Sequence, residues 1–314
     1  MKFTERLAVA AVIAIVLAVI GGAFGRSYWL LELLSHFQLQ YFIALTVCFI
    51  VLLLLRSYGP AAMTLAACLV ALSSIAPYVS KTTSTLAAAT FETGTNLRVM
   101  SFNTFFMNTG YDAIAKEIKA QSPDVILLAE IEGPAYEEIA KRLDDYKFRG
   151  YQGGQVPYFD LAYFSRLPVS ESVHYLSNFN IPTYDLQVAL GDKTLRLVGL
   201  HTSAPVSKRH SQSRDEHLEA VAQLVKASST PTLVLGDLNI TPWSPVFRDF
   251  IESSGLQEAR LGRGLLPSWN SAFTGPMRIP IDHILTKGEV SVDKIWTGQA
   301  VGSDHLPIMA DLSI

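Results

Sequence analysis

Two regimes of hydrophobic patterning divide this chain. Up to Ser80 the apolar residues run almost unbroken, in stretches over Leu7–Phe24, Leu39–Leu55 and Ala61–Val79. Only six charged side chains fall in that segment: Lys2, Glu5, Arg6, Arg26, Glu32 and Arg56. Each stretch comes close to the ~20 residues with which a helix crosses ~30 Å of hydrocarbon. Three transmembrane helices are therefore expected within residues 1–80. The second stretch is the shortest, with Gln40 at its edge. A signal peptide followed by two buried helices is the soluble alternative, and so few charges over so many residues argue against it.

Residues 81–96, rich in Thr, Ser and Ala, read as a linker. Beyond them the pattern changes. Leu97–Phe102, Val125–Ala129, Leu161–Phe164, Leu195–Leu200, Leu233–Leu235, Ile281–Leu285 and Leu306–Leu312 read as strands. Several are apolar throughout, as in strands covered on both faces. Tyr111–Ala120, Glu132–Leu143, Ser211–Ala227 and Pro245–Ser254 carry helical spacing; in the third, Leu218, Val221, Leu224 and Val225 form one stripe. The expected organisation is a membrane anchor over 1–80, a linker over 81–96 and an α/β domain over 97–314.

Charge adds an orientation. Lys2 and Arg6 precede the first span and Arg56 separates the second from the third, against Arg26 and Lys81 on the other side. By the positive-inside rule the N-terminus is cytoplasmic. Three crossings then place everything after Ser80 on the extracytoplasmic, periplasmic side of an inner membrane. Of 25 basic and 28 acidic residues, 4 and 2 precede Lys81, so the remainder carries −5. That balance argues against a general polyanion binder, and leaves room for a nuclease with a local basic patch. Cys48 and Cys68 both lie in the expected spans, so the rest of the chain has neither a disulfide framework nor a thiolate metal site.

The polar residues of the second half stand at strand ends. Asn103 follows the first strand, Glu130 the second, His201 ends Leu195–Leu200, and Asp237 ends Thr232–Gly236. Strand ends that converge on one rim make a rigid site. Near the C-terminus, Gly302-Ser-Asp-His305 repeats the pairing of a carboxylate with a hydrogen-bonding neighbour already seen in Gly236-Asp-Leu-Asn239. Such a set suits a hard cation held by carboxylates, with a His managing a proton or a charged oxygen.

Together with Val99-Met-Ser-Phe-Asn103, Asp124-Val-Ile-Leu-Leu-Ala-Glu130, Ala162-Tyr-Phe-Ser-Arg-Leu-Pro168, Gly199-Leu-His-Thr202 and Ile281-Asp-His283, these motifs resemble the endonuclease/exonuclease/phosphatase superfamily in order and spacing. The resemblance runs from about Leu97 to Leu312 and is that of a membrane-anchored, bacterial-type member. It implies a four-layer α/β sandwich, two mostly antiparallel sheets face to face with helices outside. It implies a Mg²⁺- or Mn²⁺-dependent phosphoesterase. Glu130 would be the principal metal ligand, helped by Asn103 and Asp304. Asp237 and Asn239 would orient or deprotonate the attacking water, with His305 on the phosphate and Asp282 fixing its tautomer. Whether Asp237 or His305 is the base stays open. His201 would bind a phosphoryl oxygen or protonate the leaving oxygen, and His283 would be structural.

Substrate choice is less legible. Lys208, Arg209, His210 and Arg214 form a basic cluster that could grip nucleic acid, a lipid headgroup or an inositol phosphate. Arg260, Arg263 and Arg278 are expected to add to that surface, and Trp269 is either a stacking platform or a packing anchor. A domain tethered beside a bilayer meets lipid headgroups at high effective concentration, which tilts the expectation toward a lipid phosphoester. An extracytoplasmic nuclease acting on DNA or RNA is the alternative, and a non-catalytic membrane receptor on the same fold a third reading. No sequence feature calls for an obligate protein partner.

Overall fold

The computed structural model describes residues 3–80, 95–153 and 158–314. Most of the expected linker, residues 81–94, lies outside the described residues. Three helical runs are long and apolar enough to cross a membrane: Phe3–Ala23, Trp29–Leu54 and Tyr58–Val79. They make the chain a multi-pass membrane protein. Their apolar side chains point outward as well as inward, Leu17 being 63% exposed and Leu54 79%. A helix apolar all round suits hydrocarbon rather than water.

The first span is α1 (Phe3–Ala23). The second begins earlier than its hydropathy suggests, with α2 (Trp29–Leu33), a 3₁₀ turn over Leu34–Phe37 and then α3 (Gln38–Leu54). Glu32, Ser35, His36 and Gln38 interrupt the apolar run, and all four are buried. Glu32 and His36 meet Arg214 and Thr241 from far along the chain, while Ser35 and Gln38 donate to backbone carbonyls three residues back. The third span is α4 (Tyr58–Val79). Ser57 bonds Glu5 at one end of this bundle (2.7 Å). Among the described residues, polar contacts with the second half come from the other end.

That half is mixed α/β, two six-stranded sheets flanked by helices. Its elements are β1 (Asn96–Asn103), α5 (Tyr111–Gln121), β2 (Val125–Ala129), α6 (Gly133–Ala140), β3 (Phe148–Gln152), β4 (Leu161–Ser165), β5 (Val169–Leu176), β6 (Ile181–Leu190), β7 (Lys193–His201), α7 (Lys208–Lys226), β8 (Thr232–Asp237), α8 (Pro245–Ser254), β9 (Gln257–Glu258), β10 (Asp282–Lys287), β11 (Ser291–Thr297) and β12 (Ile308–Ser313). One sheet runs β11-β12-β1-β2-β4-β3 and the other β5-β6-β7-β8-β10-β9. Each has a single parallel pair at its centre, β1 with β2 and β7 with β8.

The strands that read as apolar throughout are buried on both faces. In β2, Val125, Leu127 and Ala129 meet the opposite sheet with Leu197 and Leu235, while Ile126 and Leu128 pack under α5 and α6 with Ile114 and Ile139. In the other sheet, Val198, Leu200 and Val234 meet Leu218 and Val221 of α7 and Phe247 of α8. β3, β5, β6, β9 and β11 carried no clear sequence signal. β5 shows why: its Ser170, Glu171 and Ser172 are exposed at a sheet edge, where charge and hydroxyls blur the alternation.

Candidate active site

The parallel pairing decides where the site lies. Asn103 pairs with Ala129, so Asn103 and Glu130 leave the first sheet side by side. His201 pairs with Asp237, and Asp237 stands opposite Asp282 on antiparallel β10. Sheet packing then brings the two rims together. Gly236 turns the chain into this rim at φ +151°, and a Cβ there would run into the Leu200 carbonyl. Glu130 and Asn239 hold left-handed backbone at φ +52° and +48°. Non-glycine residues adopt that region at a cost, and it concentrates at functional sites.

Asn103 joins the two sheets. Its Nδ2 donates to Glu130 Oε1 (2.8 Å) and to Asp237 Oδ2 (3.0 Å), while its Oδ1 accepts from the Phe105 amide. The Asn239 amide donates to Asp237 Oδ1 at 2.9 Å, and the Asn239 side chain donates to the Thr202 carbonyl. His201 Nε2 lies 3.7 Å from Glu130 and 3.6 Å from Asp237. His305 Nδ1 bonds Asp282 Oδ2 at 2.9 Å, which turns its Nε2 toward Asp237 Oδ2 at 3.7 Å.

Electrostatics follow from burial and neighbours. Burial pushes the Asp237 carboxyl up to about 6; Asp282 adds to the rise, while His305 and His201 oppose it. Burial also raises Glu130, against the Asn103 hydrogen bond. Burial alone would depress His305, but Asp282 and Asp237 raise it to about 10. His201, equally buried, is lowered. Asp282 stays below its ordinary value despite burial because His305 faces it.

Two sets of donors converge tightly enough to share an ion: Glu130, His201 and Asp237, and Asp237, Asp282 and His305, each within 4.8 Å. They fit a divalent cation, because Glu130 and Asp237 are crowded together around the Asn103 amide and the His201 ring. Oxygen-rich ligation without thiolate suits a hard ion. Asp304 belongs to neither set. Its Oδ2 accepts from Trp269 Nε1 at 2.9 Å, and it lines the same pocket, of about 440 Å³, as Glu130, His201, Asp237, Asn239 and His305.

Of the basic cluster expected beside the site, His210 lines the pocket and the other three do not. Arg214 is wholly buried, bonded to Glu32 of α2 at 3.2 Å and to Asp215 at 2.7 Å. It cannot meet a substrate. Helical spacing explains the error, since Arg214 sits on the inner face of α7 beside Ser211 and Leu218. Lys208 and Arg209 are exposed in the first turn of α7 and do not line the pocket, Arg209 lying over the Phe179 ring. Arg260 is buried on Glu258 and on the Asp282 carbonyl. Arg263 is turned to the Val292 carbonyl and Arg278 to backbone of its own loop. His283 is structural, held between Glu258 and the Ile240 carbonyl. Sequence reasoning missed Tyr158 and Phe159 on the pocket wall. Isolated loop residues carry no pattern that would find them.

Residues 100–305, more than half of the chain, match the model of the endonuclease/exonuclease/phosphatase family. The chain belongs to that family. The match and the donor sets make it a metal-dependent hydrolase of phosphoesters. No curated protein matches it. Among solved structures it is similar to an endonuclease/exonuclease/phosphatase from Beutenbergia cavernae, at 21% identity and TM-score 0.59, covering 70% of this chain and 72% of that one. A family protein from Bacteroides vulgatus shares 17% identity at TM-score 0.59, over 69% and 98% of the two chains. D. rerio TDP2 complexed with single strand DNA product shares 18% at TM-score 0.57, over 70% and 99%. At such identities the likeness is one of fold.

Proposed function

We propose that this family member is a membrane-anchored phosphoesterase with its catalytic half, residues 97–314 in helix–sheet–sheet–helix layers, on the extracytoplasmic face. Residues 1–80 serve as its anchor and 81–96 as the linker. The observation that carries the chemistry is the Asp237 carboxylate, faced by Asn103, His201 and His305 from three separate strands or loops. Glu130 and Asp237, with Asn103 and Asp304 beside them, would hold Mg²⁺ or Mn²⁺. When bound, the cation supplies positive charge to a phosphoryl oxygen.

The chain's own groups supply the rest. Asp237, anchored by the Asn239 amide, orients a water and takes its proton as the water oxygen attacks phosphorus. Asp282 and Asp237 face His305 and raise it, which suits it to donate to a phosphoryl oxygen rather than to act as base. The proposed base is therefore Asp237. The P–O bond opposite breaks in line, and His201 donates a hydrogen bond to the departing oxygen.

The family's name and the DNA-complexed relative support nucleic acid as substrate. One observation favours a lipid phosphoester instead: among the described residues, no Lys or Arg lines the pocket. A strand of nucleic acid brings a phosphate with every nucleotide and is usually met by such cations. The test is the full-length protein in nanodiscs with Mg²⁺ or Mn²⁺, offered single-stranded and duplex DNA, RNA, phospholipids and phosphate monoesters. Turnover of one class identifies the substrate. Absence of turnover by folded, metal-loaded protein would overturn the enzymatic reading in favour of a receptor.

A further inference from the structure

The catalytic pocket continues past Trp269. A second cavity of about 340 Å³ adjoins it, and Ala204, Val206, Asn239 and Trp269 line both. Its far wall is Leu33 and Phe37 from the start of the second span, facing Ile279 and Ile281. His36, the one ionisable side chain among the described residues on its wall, is already engaged, with Nδ1 on Thr241 at 2.9 Å and Nε2 3.3 Å from Glu32. The interior is therefore apolar, built jointly by the membrane segment and the catalytic half.

Leu33 and Phe37 place one wall of the cavity where the chain enters the second span. Gln40, in the first turn of α3, donates to the carbonyls of Pro276 (2.9 Å) and Arg278 (3.1 Å), which fixes the 270–278 loop beside that helix. The loop exposes Phe273 and Met277, 56% and 59% accessible, and Val206 on the shared wall is 73% accessible. Large apolar side chains grouped beside a membrane span are accommodated at the bilayer boundary.

We propose that this cavity takes the hydrocarbon chain of a membrane-resident phosphoester, which makes the substrate of the site a lipid drawn from the adjoining leaflet. Its phosphate sits at Asp237 and His305 and its tail between Phe37 and Ile281. The proposal rests on the phosphoesterase reading and commits it to an amphipathic substrate.

The test uses full-length protein in nanodiscs with Mn²⁺ and two diesters sharing one scissile bond, methyl and hexadecyl p-nitrophenyl phosphate. Partition into the same disc raises the long-chain rate without any groove, so the decisive quantity is the hexadecyl-to-methyl ratio of kcat/KM in variants. Leu33→Gln and Phe37→Gln are each expected to lower that ratio by about tenfold, the scale on which pocket contacts discriminate apolar groups. Phe37 is partly exposed, so its replacement spares the fold. A ratio unchanged in both variants overturns the groove and leaves the phosphoesterase intact. If neither ester is hydrolysed, the diesterase form of that reading fails, and binding decides the groove separately. A phospholipid brominated along its chain should quench tryptophan fluorescence, with a saturable part lost in Trp269→Phe and weakened in Leu33→Gln. No such part means no chain in the cavity.

Discussion

At the scale of single residues, Asp237 and His305 define what the site can do. Asp237 without a cation sits near 6, above the ~3.9 of an unfolded chain. Between those values the folded protein keeps a proton that the unfolded chain has lost. This contribution to stability is therefore full below about pH 4 and lost as pH rises through about 6. A cation at the site reverses the loss, so the rise in Tm on adding Mg²⁺ is expected to be larger at pH 7 than at pH 5; an equal rise would contradict the ligand role of Asp237. Activity should fall as pH drops through about 6, with the midpoint moving lower as metal is raised, and fall again toward about 10 as His305 loses its proton. His305→Ala should cost about 10²–10³ in kcat, the scale of one lost donor to a charged oxygen. Because Asp282 acts through His305 at 2.9 Å, the double variant with Asp282→Ala should be little worse than His305→Ala alone. Multiplying losses would separate the two residues.

At the scale of elements, α2 is the piece that hydropathy misjudged and the fold uses. Glu32 reaches Arg214 of α7, both fully buried, and Arg214 Nη1 also approaches the Asn239 carbonyl at 3.4 Å. His36 meets Thr241, two residues further along the same loop. The start of the second span thus braces the loop that carries Asn239. Glu32→Ala leaves the buried Arg214 with Asp215 as its one carboxylate partner, so it should destabilise the protein by less than the ~3–5 kcal/mol of a fully stranded charge, read as a fall in Tm of the full-length protein. An unchanged Tm would show that Asp215 alone satisfies Arg214. The sequence placed Arg214 with Lys208 and Arg209 because neighbours in the chain look like neighbours in space. A helix separates them by face, and only the position of α2, far away in sequence, reveals which face is inward.

At the scale of the whole molecule, what was legible followed from repetition. Three long apolar runs, doubly buried strands such as β2, and polar residues at successive strand ends each repeat a physical constraint, and each is visible without coordinates. Edge strands such as β5 and the pocket residues Tyr158 and Phe159 repeat nothing and were not. Among the described residues, polar contacts between the halves come from one end of the helical bundle, through Arg26 to Asp249, Gln40 to Pro276 and Trp243 to the Ser74 carbonyl. Glu5 and Ser57 meet at the opposite end. Three crossings and the positive-inside bias then predict that a reporter fused after Ile314 reads extracytoplasmic; a cytoplasmic signal would invert the orientation.

The central claim is that carboxylates at the converging strand ends hold a divalent cation and drive phosphoester hydrolysis. Its most direct test is hydrolysis of bis(p-nitrophenyl) phosphate by the full-length protein, titrated with Mg²⁺ or Mn²⁺, beside Glu130→Gln. Metal-dependent turnover that the variant loses by about 10² or more is the expected result. Turnover that survives chelation, or that Glu130→Gln retains in full, would contradict it.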